Sequence, residues 1–229
     1  MNAEKQRVIE AIINTFETGV PAGDYSAVTI LRDGAGISYG RSQATDRADN
    51  LDTIVYRYID RKGPLAEALR PFLDELEADG TARVDPAHPP EWCRRLMALL
   101  AEAGKDAVMR KAQDDVFHER YWVPAKGHAE SMGLVLPLSW ALVYDTCIQS
   151  GPDAVSRMRK LFPEAPPVRG GKEEAWARAY VAARQAWLAS HPNASVRRST
   201  YRTREFRRLI DSGNWQLETP FPVLKAQVV

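Results

Sequence analysis

One segment limits what this chain can fold into more than any other: Pro137-Leu138-Ser139-Trp140-Ala141-Leu142-Val143-Tyr144-Asp145-Thr146-Cys147-Ile148. Its apolar residues neither alternate nor keep to one stripe, so the pattern predicts a helix over 137–150 enclosed by protein on every side. The apolar run from Met132 to Tyr144 is too short for a bilayer, which asks for about 20 residues, and Gly133, Pro137 and Ser139 interrupt it. Other elements must therefore wrap around it. With 229 residues, 45% of them hydrophobic and 27% charged, the chain has enough apolar surface for such a core, and its composition excludes disordered, collagen-like and coiled-coil classes. Asp145 lies among Leu142, Val143 and Ile148. A carboxylate buried there needs a partner. The other reading of Asp145 is a helix-capping or structural acid.

The wrapping elements read as helices with one small sheet. Val8, Ile12, Ile13 and Phe16 recur at helical spacing and predict a helix over 4–18, stopping before Gly19-Val20-Pro21. Tyr25 to Arg32 reads as a strand, Asp33-Gly34-Ala35-Gly36 as a turn, and Ile37 to Gly40 as the returning strand. This is the one hairpin the sequence announces. Further helices are expected at about 48–61, 65–78, 90–103, 105–120, 173–190 and 199–212. Residues 163–171, with Pro163, Pro166, Pro167, Gly170 and Gly171, form the clearest loop. The expected arrangement is a single domain, 1–229, of two helical lobes flanking a groove. Residues 1–62 with the C-terminal helices form one lobe and 63–150 the other.

Charge is unevenly placed. Residues 1–150 hold 17 Lys and Arg against 23 Asp and Glu, and residues 151–229 hold 14 against 7. The basic stretch Arg197-Arg198-Ser199-Thr200-Tyr201-Arg202-Thr203-Arg204, with Arg207 and Arg208, supports one alternative of another class, a nucleic-acid-binding helical module. The same stretch also reads as a solvated helix face whose Phe206, Leu209 and Ile210 turn inward. Gly34-Ala35-Gly36 does not continue as a dinucleotide loop, because the next glycine, Gly40, comes one position late. His88, His118, His128 and His191 lack metal-ligand spacing. Cys93 and Cys147 sit in apolar helical surroundings and read as buried core thiols. Of the six tryptophans, none is singled out as a sugar platform.

Two carboxylates stand out by placement. Glu17 falls in the last turn of the first helix, where the negative end of the helix dipole disfavours its ionised form. Asp33 opens a glycine-flanked turn that a bulky substrate can approach. One carboxyl kept protonated and one kept ionised is what glycosidic bond cleavage requires.

These residues resemble a known family. Glu17, followed by Arg32-Asp33-Gly34-Ala35-Gly36-Ile37-Ser38-Tyr39-Gly40, looks like the catalytic region of glycoside hydrolase family 46, the chitosanases, within the lysozyme-like superfamily. Further matches follow in order: Gln113-Asp114, Arg120 to Ala125, Gly133-Leu134, Val143-Tyr144-Asp145, Ser150-Gly151-Pro152, Gly170-Gly171-x-Glu173, Ala183-Arg184 and Arg207 to Leu217. The resemblance implies a mainly α, lysozyme-like α+β fold with a small hairpin carrying the catalytic aspartate. It implies endo-hydrolysis of β-1,4 bonds in an amino-sugar polymer, with no cofactor and with inversion, which needs the two carboxyl groups roughly 6.5–9.5 Å apart. Glu17 corresponds to the general acid and Asp33 to the base. Ser38 stands where a threonine helps hold the attacking water. Asp145 and Arg184 match a buried ion network behind the acid, which an arginine of the last helix, Arg202 or Arg207, completes.

Two departures bear on substrate. Asn50 falls where chitosanases carry an aspartate that binds a substrate amine, and Ala35 where they often carry arginine. Gly34, Gly36 and Tyr39 accompany them as expected substrate contacts. The start of the chain has no signal-peptide pattern, and the C-terminal part is basic. These features favour the glycan strands of peptidoglycan over chitosan, with Asp46, Asp49 and Asp52 as carboxylates that could still meet a cationic sugar. The expected protein is a monomer made in the cytoplasm that reaches a cell wall by lysis or signal-independent delivery. Secretion, with a signal peptide not contained in this sequence, is the alternative.

Overall fold

The computed structural model describes residues 1–30, 34–41, 43–46, 50–78 and 80–229. The chain divides into two compact units, one formed by Met1–Pro21 with Glu119–Val229 and the other by Ala22–His118. These boundaries differ from the lobes expected at residues 62 and 150. Residues 22–62 belong with 63–118, and residues 119–150 belong with the C-terminal helices.

In the first unit, helix α8 (Pro137–Ser150) is the axis, and every side chain from Pro137 to Cys147 is buried. Around it lie α1 (Ala3–Thr18), α7 (Val123–Ser131), α9 (Asp153–Arg159), α10 (Glu173–Ser190) and α12 (Thr200–Asp211). Val8, Ile9, Ile12, Ile13 and Phe16 of α1 enter the core, as do Trp176, Tyr180, Phe206 and Leu209. Asn2 starts α1 by accepting from the Lys5 amide at 2.8 Å, and Gly19 ends it with φ 76°, returning its N–H to the Thr15 carbonyl. Glu173 starts α8 from a distance, its carboxylate accepting from the Val135 and Leu136 amides. The unit also holds the short helix α11 (Ala194–Arg198).

The second unit carries a three-stranded antiparallel sheet, β1 (Val28–Ile30), β2 (Ile37–Tyr39) and β3 (Ala44–Thr45), in that order. Val28 faces Tyr39, Ile30 faces Ile37, and Tyr39 faces Ala44. Its helices are α2 (Leu51–Asp60), α3 (Ala66–Leu69), α4 (Leu73–Glu77), α5 (Glu91–Ala103) and α6 (Ala107–Phe117). Asp106 caps α6 through the Met109 amide at 2.9 Å and also accepts from the Tyr58 hydroxyl.

Several expectations change. The helix expected over 65–78 is broken by a 3-10 turn at Arg70–Phe72, because Pro71 has no amide to continue the ladder. The helix expected over 105–120 stops at Phe117, and a single π turn, His118–Trp122, leads into α7. A second hairpin, β4 (Phe221–Val223) with β5 (Ala226–Val228), follows α12. Its turn contains Leu224 and Lys225 rather than glycine or asparagine, and so carries no turn signal. Cys93 and Cys147 are buried and free, as expected, and burial pushes the Cys147 thiol up to about 12. Among the described residues no helix is long and apolar enough to cross a membrane.

Candidate active site

Glu17 projects from the final turn of α1, which aromatic packing fixes. The Phe16 ring meets Tyr201 and Phe206 edge-on, at centroid distances of 5.9 and 5.5 Å, and the Tyr201 hydroxyl donates to the Phe16 carbonyl at 2.8 Å. The Glu17 side chain keeps 15% of its surface exposed. It can meet a substrate while its other side meets the protein.

On the protein side runs a chain of charges. Arg202 of α12 donates through one guanidinium nitrogen to Glu17 Oε1 and through the other to Asp145 Oδ1, the second at 2.7 Å. Arg184 of α10 donates to Asp145 Oδ2. Asp145 and Arg184 are fully enclosed. Burial alone would raise the Asp145 carboxyl, but the guanidiniums of Arg184 and Arg202 hold it below the ordinary aspartate range. Burial works against the Arg202 cation too, yet Glu17 and Asp145 push it above its usual value. The expected partner of Asp145 is thus Arg184. The arginine of the last helix is Arg202, not Arg207, which is exposed on another face of α12.

Asp33 lies outside the described residues, and with it the expected carboxyl separation. The turn that follows it is described from Gly34, whose φ is 75°, to Gly36, at 81°. Gly34 and Ala35 are partly exposed and Gly36 is buried. Ser38 is 4% exposed, with its backbone paired between Thr29 and Thr45. The exit of β2 is gripped by α6. Gln113, wholly buried, accepts from the Arg41 amide and donates to the Tyr25 carbonyl, while Asp114 pairs with Arg41 and accepts from the Tyr25 hydroxyl at 2.9 Å. Gly40 packs so closely on Gln113 that a Cβ there would overlap the carboxamide.

Two residues expected to meet the substrate, Tyr39 and Asp46, need correction. Tyr39 is fully buried, so it fills the core of its unit and cannot present its ring to a polymer. Asn50 is 3% exposed and precedes α2, its backbone carbonyl accepting from the Ile54 amide at 3.1 Å. Asp46 is 1% exposed and bonded to Thr81, so it cannot serve as a substitute carboxylate. Asp49 lies outside the described residues. Asp52 accepts from the Thr53 amide in the first turn of α2. Sequence reasoning missed the supporting roles of Gln113, Asp114, Asp46 and Thr81. The pair Gln113-Asp114 was visible as a matching motif, but its grip on the hairpin was not.

The model of Glycosyl hydrolase family 46 matches residues 11–221. The chain belongs to that family. A curated relative, a chitosanase of Bacillus subtilis (strain 168), is 26% identical over 240 residues, covering 97% of this chain and 83% of the relative. Among solved structures, the complex of the Gynuella sunshinyii family 46 chitosanase with chitotetraose superposes with a TM-score of 0.84. It is 26% identical and covers 99% of this chain and 97% of its own. A native chitosanase from Bacillus subtilis MY002 shares the fold, with a TM-score of 0.82, 24% identity, and 99% and 96% coverage. This family 46 protein is therefore a glycoside hydrolase of mainly helical, α+β fold. The expectation of a peptidoglycan substrate finds no support among these relatives.

Proposed function

We propose that this glycoside hydrolase is an endo-acting chitosanase, with Glu17 as general acid, Asp33 as general base and inversion at the anomeric carbon. The observation that carries the substrate is the similarity to a chitosanase over 97% of the chain. The segment Ala22–His118, which carries Asp33, holds 17 Asp and Glu against 13 Lys and Arg, a balance suited to a polymer of protonated amines.

In the reaction, Glu17 gives its proton to the glycosidic oxygen as the bond to the anomeric carbon breaks. A water loses a proton to Asp33 and attacks that carbon from the opposite face, with the Ser38 hydroxyl holding the water. Arg202 then steadies the carboxylate left on Glu17, and Asp145 with Arg184 keeps Arg202 in place. The proposal is tested by incubating the protein separately with fully deacetylated chitosan and with purified sacculi, sizing the products by mass spectrometry and following the first product by proton NMR. Glucosamine oligomers with a newly formed α reducing end, and intact sacculi, are expected. Soluble muropeptides with intact chitosan would overturn the substrate, and a β product would overturn inversion.

A further inference from the structure

Strand β2 is held at its entry by a buried hydrogen-bonded trio drawn from three stretches of the second unit. The Ile37 amide donates to Thr81 Oγ1 at 3.0 Å. That hydroxyl donates in turn to Asp46 Oδ2 at 2.6 Å, and the Thr81 amide donates to the same oxygen at 3.0 Å. Ile37 and Thr81 are wholly buried, and Asp46 is 1% exposed. Because the carboxylate can only accept, the hydroxyl must point its proton there and offer its lone pair to Ile37. The direction of the chain of bonds is thereby fixed.

The trio stands where the sheet leaves a gap. Strand β3 pairs with Ser38 and Tyr39 and stops before Ile37. Asp46, the residue after β3, turns its side chain onto Thr81 instead of extending the ladder. Gly36 runs directly over this assembly: a Cβ there would overlap Thr81 Oγ1 and come within 2.9 Å of the Ala82 nitrogen and of Asp46 Cβ. Gly36 also has φ 81°. One edge of Ile37 therefore pairs with β1, while on the other its amide meets a side chain where β3 has stopped.

We propose that Thr81 and Asp46 are positioning residues for the general base: their hydrogen bonds fix Gly36 and Ile37, and through the three residues between Asp33 and Ile37 they set where the Asp33 carboxylate stands. This rests on the reading of Asp33 as the base. Ordinary packing would hold the strand in the sheet. A directed hydroxyl–carboxylate pair fixes the position of one backbone amide, which suits a task where a shift of about 1 Å can lower the rate about a hundredfold.

The test compares Thr81→Val, Thr81→Ser, Thr81→Cys and Asp33→Asn on the fully deacetylated β-1,4-glucosamine hexamer. Folding is checked by circular dichroism, and rates are measured well below each melting temperature. Thr81→Val is expected to lower kcat about tenfold or more with KM within about twofold of the parent, and Thr81→Ser to restore kcat to within about threefold. If the valine variant does not fold, the serine and cysteine variants carry the test, because they differ by one atom and only serine makes both strong hydrogen bonds. Cysteine is then expected to lose about tenfold in kcat where serine does not. Parental kcat in Thr81→Val or Thr81→Cys, equal losses in the serine and cysteine variants, or a loss confined to KM would overturn the positioning role. Full turnover by Asp33→Asn would instead remove the reading on which it rests.

Discussion

Arg202 serves two carboxylates with one guanidinium, and this sharing separates it from the other arginines of α12. Arg202, Phe206, Leu209 and Ile210 fall on one face at intervals of four, seven and eight, and all are buried. Arg207 falls off that face and is exposed. The periodicity that marks the buried side of the helix could therefore have chosen between the two arginines before the structure was known. Replacing Arg202 by Ala leaves Asp145 with one charged partner in a sealed site, and a loss of about 3–5 kcal/mol is expected in urea unfolding. Arg207→Ala is expected to stay within about 0.5 kcal/mol of the parent. Equal effects would mean that the ion chain does not hold the core. Glu17→Gln keeps the shape of the acid but removes its proton, so turnover on chitosan should fall about 10²–10⁴-fold with the fold intact by circular dichroism. A folded Glu17→Gln protein with full activity would remove Glu17 from the reaction.

At the scale of elements, the hairpin of the second unit depends on residues far from it in sequence. Its alternation of side chains and its Gly34–Gly36 turn were legible, and β1 and β2 lie within the expected segments, β1 starting at Val28 rather than Tyr25; β3 carried no signal. The grip of Gln113 and Asp114 on one end of β2, and of Thr81 and Asp46 on the other, was not. Polar residues on other helices and turns carry no mark of what they will meet. Gly40 tests the first grip. It has φ 73° and sits against the Gln113 carboxamide, so alanine there adds both backbone strain and overlap. Gly40→Ala is expected to destabilise the protein by about 1–3 kcal/mol in urea unfolding. A neutral result would show that Gln113 can move aside and does not fix the strand.

At the scale of the molecule, the acid network couples folding to pH. The folded Asp145 carboxyl is held low by Arg184 and Arg202, so its contribution is complete above the ordinary aspartate range near 3.9 and is lost as pH falls toward the lower folded value. Unfolding midpoints of the parent and of Asp145→Asn should therefore differ most at neutral pH and converge in acid. A gap that stayed constant down to pH 2 would contradict this linkage. The sequence by itself determined the buried axis at 137–150, the helix that carries Glu17, the hairpin that follows Asp33 and the need of Asp145 for a charged partner. Periodicity, turn chemistry and the cost of an unpaired buried charge are local enough to be read from neighbouring residues. Only the tertiary structure decided that the units divide at residues 21 and 118, that Arg202 joins Glu17 to Asp145 across 185 and 57 positions of chain, and that Tyr39, Asn50 and Asp46 are enclosed. Burial and long-range pairing follow from which surfaces meet, and no stretch of sequence states that alone.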